Sequence, residues 1–116
     1  MDPAVRPMRG IVEVKEYNGL TKAVPCTYYT DLWAIHKSLK PTRGYTLSHA
    51  PTGLAFIRDR PRVLCIAIAM TIIAETDAEG WRQLDGPDMP KPLADKARAI
   101  RDRFDNVVSA LTGSPA

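Results

Sequence analysis

YTLSHAPTGLAFIRDRPRVLCIAIAMTIIA, residues 45–74, decides how this chain folds. Tyr45, Leu47 and His49 alternate with Thr46 and Ser48, the two-residue period of a strand. Pro51-Thr52-Gly53 makes a turn, after which Leu54 and Phe56 alternate with Ala55 and Ile57, so the second strand is apolar on both sides and belongs in the middle of a sheet. Arg60 precedes a proline and is biased away from helical geometry, which makes Pro61 the natural first residue of a helix. That helix is apolar on almost every face, so the rest of the domain has to cover it. Its end has two readings: a stop at Gly80, or a capping box from Thr76 to Glu79 that opens a new turn.

Outward from this stretch, residues 10–24 carry a hairpin signal. Residues 11–17 and 20–24 flank Asn18-Gly19, a pair suited to a two-residue primed turn with positive φ at both centres. Pro25 has no N–H to give a ladder and ends or edges the second strand. Residues 31–40 predict a short helix, with Leu32, Ile35, His36 and Leu39 at helical spacing and Pro41 as the stop. A strand with Trp33 and Ile35 on one face is the alternative. Residues 85–92 form a proline-rich connector into the clearest amphipathic segment, residues 92–111. There Leu93, Ala97, Ile100, Phe104, Val107 and Leu111 step by four and three, opposite a mixed-charge face with Arg98–Asp102 and Arg101–Asp105 pairs. The fold expected is α+β: a small antiparallel sheet of hairpins packed on a buried helix, plus the C-terminal helix, in one domain over residues 1–116 with a flexible start at 1–9.

A chain of 116 residues is long enough to bury a core, and 45% hydrophobic with 25% charged residues is ordinary for a globular protein. Two cysteines, Cys26 and Cys65, are too few for a disulfide framework. No signal-peptide core and no apolar run of membrane-spanning length occurs, so the expected location is the cytoplasm and no membrane partner is implied. The net charge of +3 is unevenly spread. Between residues 32 and 74, Lys37, Lys40, Arg43, Arg58, Arg60 and Arg62 oppose Asp59 alone. Between residues 75 and 92, Glu75, Asp77, Glu79, Asp85 and Asp88 oppose Arg82 and Lys91. Such a division concerns partners and association rate.

No catalytic signature surrounds His36 or His49, although a small hydrolase centred on His49 is a reading the residue types allow. Metal ligands at short spacing and glycine-rich phosphate loops are both missing, so no metal and no cofactor is expected. The basic segment is the more informative feature. With Tyr28, Tyr29 and Trp33 as aromatic anchors, Lys37, Lys40, Arg43, Arg58, Arg60 and Arg62 suit an acidic surface on a protein partner, and also suit nucleic acid. Plain solubility of strand ends explains the same charges. The apolar stripes of the two long helices admit a homodimer as well as packing within the domain.

The segment GYTLSHAPTGLAFI, residues 44–57, resembles small uncharacterised phage and mobile-element proteins that carry a strand, a His-x-Pro-Thr-Gly turn and a second strand. The resemblance implies an accessory protein that works by occupying a surface of a host protein or complex, for example as an inhibitor of a defence system. It carries over no functional residue. A more distant architectural likeness to sheet-plus-helix DNA-reading domains of the phage integrase arm type lacks their arginine-rich strand between residues 45 and 57. The leading expectation is therefore a non-enzymatic binding protein, ahead of a nucleic-acid-binding module.

Overall fold

The computed structural model describes residues 6–16, 18–39 and 44–112. Five strands, β1 (Pro7–Lys15), β2 (Thr21–Tyr29), β3 (Trp33–Lys37), β4 (Tyr45–His49) and β5 (Leu54–Arg60), form an antiparallel sheet in chain order. Three helices follow: α1 (Arg62–Glu75), α2 (Ala78–Arg82) and α3 (Lys91–Thr112). The architecture is α+β with a C-terminal helix, as the sequence predicts.

Three local expectations are corrected. β5, apolar on both sides, does not lie in the middle of the sheet but ends it, with β4 as its one ladder partner among the described residues. The helix predicted over residues 31–40 is strand β3, because Trp33, Ala34, Ile35 and His36 are all buried, two on each face, and pair with β2 and β4. A helix there would have left part of that run in water. The sheet is consequently one continuous meander rather than hairpins on either side of a helix. At the first hairpin, Glu16 N–H donates to Leu20 C=O (2.8 Å) and Gly19 N–H to Glu16 C=O (3.0 Å), so the loop has three residues, not two. Gly19 at φ +83° supplies the left-handed bulge that such a loop needs, and Tyr17 lies outside the described residues.

The sheet curls until its first strand meets the β4–β5 turn: Lys15 N–H donates to Gly53 C=O at 2.8 Å. Gly53 has φ +70°, and a Cβ on it would stand 2.7 Å from the Glu13 carbonyl oxygen, so only glycine allows this closure. The curl encloses Val12, Val14, Val24, Cys26 and Ala34 as a small interior core. On the opposite face Tyr29, Trp33, Ile35, Leu47 and Ile57 pack against Leu64, Cys65, Ile68 and Ile72 of α1. α1 touches β3, β4 and β5 on one side and α3 on the other, which buries Leu64, Cys65, Ile68, Ala69 and Ile72, while Val63 in its first turn stays exposed. It ends at Glu75, and Asp77, not Thr76, caps α2 by accepting from Glu79 N–H. Gly80 lies within α2.

Along α3 the predicted stripe is half used. Ala97 and Ile100 are buried, Leu93 and Phe104 partly so, while Val107 and Leu111 remain exposed. The charge pairs differ from those expected: Arg98 reaches Asp95, Arg101 reaches Asp102, and Asp105 is taken by Arg60 at 3.2 Å. Asp59 at φ +58°, beside the irregular β4–β5 register, turns the end of β5 toward that contact.

Candidate binding cleft

The pairing of β2 with β3 stops early, and the cause is Pro25. Partners run Thr27↔Ile35, Tyr28↔Ala34 and Tyr29↔Trp33, so the next bonded pair in register would be Pro25 with Lys37. Pro25 has no N–H for the Lys37 carbonyl. His36 supplies the donor instead, its Nδ1 lying 2.8 Å from the Lys37 oxygen. A carbonyl only accepts, so Nδ1 carries the proton and Nε2 accepts from the Ser48 hydroxyl at 2.9 Å. Burial holds His36 below its ordinary 6.5, the carbonyl contact partly opposing, so the ring is neutral near pH 7.

Past that point β2 and the chain after β3 diverge, leaving an open cleft of about 690 Å³. This is within the size range of ligand sites, about 300–1,000 Å³. Val24, Cys26, Ile35 and Leu39 give it an apolar floor, and Arg9, Lys22, Lys37 and Arg62 stand around it. No acidic side chain is among the described residues lining the cleft, and none of the four cations forms an ion pair with a described residue. Burial pushes the Cys26 thiol up, so it stays protonated and adds no negative charge.

The residues singled out from sequence separate into three groups. Lys37 and Arg62 meet at the cleft. Arg58 is exposed on β5 away from it, and Arg60 is held by Asp105, with its guanidinium also on the Arg58 carbonyl. Lys40 and Arg43 lie outside the described residues. The aromatic anchors need correction: Trp33 is 1% exposed and Tyr29 5%, both in the helix-side core, so neither presents a surface. Tyr28 is half-buried and spends its hydroxyl on the Ile11 carbonyl at 2.7 Å. Sequence reasoning missed Arg9 and Lys22. Their positions on paired strands, with β2 edged by a proline, were the available signal.

The histidines are engaged internally. His49 Nε2 donates to the Trp81 carbonyl (2.8 Å), Nδ1 takes the Thr52 hydroxyl (2.8 Å), and Trp33 and Trp81 flank the ring. With both nitrogens occupied and 4% exposure, it has no free lone pair for a substrate. The Ser48–His36 contact joins a hydroxyl to a base, but Ser48 is 1% exposed and the adjoining cavity measures about 20 Å³, room for a single water. No group of His, Cys, Asp and Glu among the described residues has the arrangement of a metal site, and no helix of the described chain is long and apolar enough to cross a membrane. Both cysteines are free and buried.

No protein-family model, curated protein or solved structure matches the chain.

Proposed function

We propose that this is a non-enzymatic binding protein that holds an acidic segment of a partner protein in the β2–β3 cleft. The observation that carries the reading is the set of four cations, unmatched by any described acid, around a cleft with an apolar floor. Cations in this setting attract a polyanion and raise its association rate, while the floor gives short-range contact. A protein segment suits the site better than single-stranded nucleic acid. Nucleic-acid grooves of this kind present flat rings for base stacking, whereas the rings among the described lining residues are the half-buried Tyr45 and the buried His36. The likeness of residues 44–57 to mobile-element proteins supplies a context, a host protein as partner, on which the cleft argument does not depend.

Fluorescence anisotropy of a labelled ten-residue poly-glutamate peptide and a labelled ten-nucleotide oligo(dT), at about 50 and 200 mM salt, tests the reading. The peptide is expected to bind more tightly than the oligonucleotide and to weaken with salt. Tighter, steeply salt-dependent binding of oligo(dT) would replace the reading with the nucleic-acid one, and binding of neither would remove it.

A further inference from the structure

The cleft is bordered by a strand edge as well as by charge. In the first hairpin Glu16 and Leu20 form a bonded pair, and such pairs alternate along an antiparallel ladder. On β2, therefore, Lys22, Val24 and Cys26 turn their backbone groups toward β1, opposite Val14, Val12 and Gly10. Thr21, Ala23 and Pro25 turn theirs the other way, Ala23 and Pro25 into the cleft and Thr21 just past its lining. No ladder partner meets them there among the described residues, since the β2–β3 pairing begins only at Thr27. Thr21, Ala23 and Pro25 are exposed. An unpaired edge of this sort is a template for another strand, and Pro25 still offers its carbonyl.

We propose that the ligand is an extended acidic peptide that adds to β2 as a strand along Thr21–Cys26, its alternate side chains acidic and apolar. This rests on the reading of the cleft given above and specifies its ligand class. The alternation follows from the two faces of the sheet. Arg9 and Lys37 lie on the helix side, by their pairing with Thr27 and Tyr45, and Arg62 opens α1 on that same side. Val24, Cys26 and Leu39 lie on the interior side and belong to the apolar cluster there. A strand laid beside β2 sends successive residues to opposite faces, so acidic residues at i, i+2 and i+4 meet Arg9, Lys37 and Arg62 while the intervening apolar residues cover Val24, Cys26 and Leu39; Lys22, opposite Val14, stands on this interior side, and Ile35, opposite Thr27, on the helix side. Six residues of β2 give roughly 20 Å of edge, which an extended heptapeptide covers with about one residue to spare. Main-chain bonds then supply affinity and the side pockets supply specificity, the division seen where peptides extend a sheet.

The test is backbone amide exchange by NMR on the full chain, free and with a blocked heptapeptide alternating Glu and Val. In the free protein the Thr21 and Ala23 amides should exchange fast while Lys22 and Val24, bonded to β1, exchange slowly. With the peptide, Ala23 and Thr21 should slow at least tenfold and Lys22 and Val24 should stay as they were. A peptide that binds without slowing Ala23 overturns strand addition and leaves the basic cleft standing. Binding of poly-glutamate but not of the alternating peptide overturns the inference in the same way, and failure of both peptides overturns the cleft reading beneath it.

Discussion

The two ends of the β2–β3 strand pair behave in opposite ways. At the closed end Tyr29 pairs with Trp33, and Trp33 sits in a layer with His49, Phe56 and Trp81 at ring distances of 5.5, 6.0 and 4.8 Å. Every buried side-chain nitrogen and oxygen among the described residues there has a partner: Trp81 Nε1 donates to the Thr76 hydroxyl at 2.7 Å, and the Trp81 carbonyl accepts from His49. At the open end a proline withholds one donor, a histidine replaces it, and the strands separate around four cations. One end is built for stability and the other is left with unspent charge and backbone. The contrast teaches that absence of pairing inside an otherwise satisfied sheet is informative about function.

The largest effect should come from breaking the closed end. Trp81→Ala removes a side chain that is 2% exposed and packs on three rings, and should cost about 3–5 kcal/mol in denaturant unfolding. Affinity of the cleft for an acidic peptide should be unchanged under conditions where the variant is folded. A loss below about 1 kcal/mol would mean that the aromatic layer does not hold the fold together.

A smaller effect belongs to the histidines between the two ends. His36 and His49 are both held below 6.5, burial being the main cause in each. The unfolded chain therefore takes up protons first as pH falls, so the stability these residues contribute is complete above about 6.5 and is lost as pH drops below it. Unfolding free energy should decline between pH 7.5 and 5. In His36→Leu the remaining slope should be roughly halved, and the unfilled Lys37 carbonyl should cost about 1–3 kcal/mol at pH 7.5. A flat pH profile in the wild-type protein would contradict the assignment of neutral, buried rings.

The smallest effect should come from Pro25→Ala, which returns the missing donor. The new amide is expected to bond the Lys37 carbonyl, extend the ladder by one pair and release His36 Nδ1, with a change of about 1 kcal/mol or less. Amide exchange reports it directly: residue 25 should be protected. An unprotected amide at 25 would show that something other than the proline keeps the strands apart.

Much of the fold is legible in the residues and less of the site. Alternation in residues 45–49 and the Pro51-Thr52-Gly53 turn place β4 and β5, and Pro61 places the start of α1 to within one residue, as its cap rather than its first residue, because each is a local signal with few geometric solutions. Residues 33–37 misled because WAIH is apolar enough for either a helix stripe or a strand buried on both faces, and only the curl of the sheet creates that second interior. Basic residues close in sequence did not stay together, since the bulge at Asp59 sends Arg60 to α3. The cleft joins Arg9 to Lys37 through sheet pairing, and to Arg62 through the packing of α1 on the sheet, neither of which sequence spacing records.

The most direct test of the basic cleft compares the affinity of an acidic peptide for the wild-type protein and for the triple variant Lys22→Glu, Lys37→Glu, Arg62→Glu, with Arg58→Glu as the control outside the cleft. All three cleft positions are exposed, so unfolding free energy should stay within about 0.5 kcal/mol per site. The account predicts at least a hundredfold loss of binding in the triple variant and little change in Arg58→Glu. Equal losses in both, or undiminished binding in the triple variant, would contradict it.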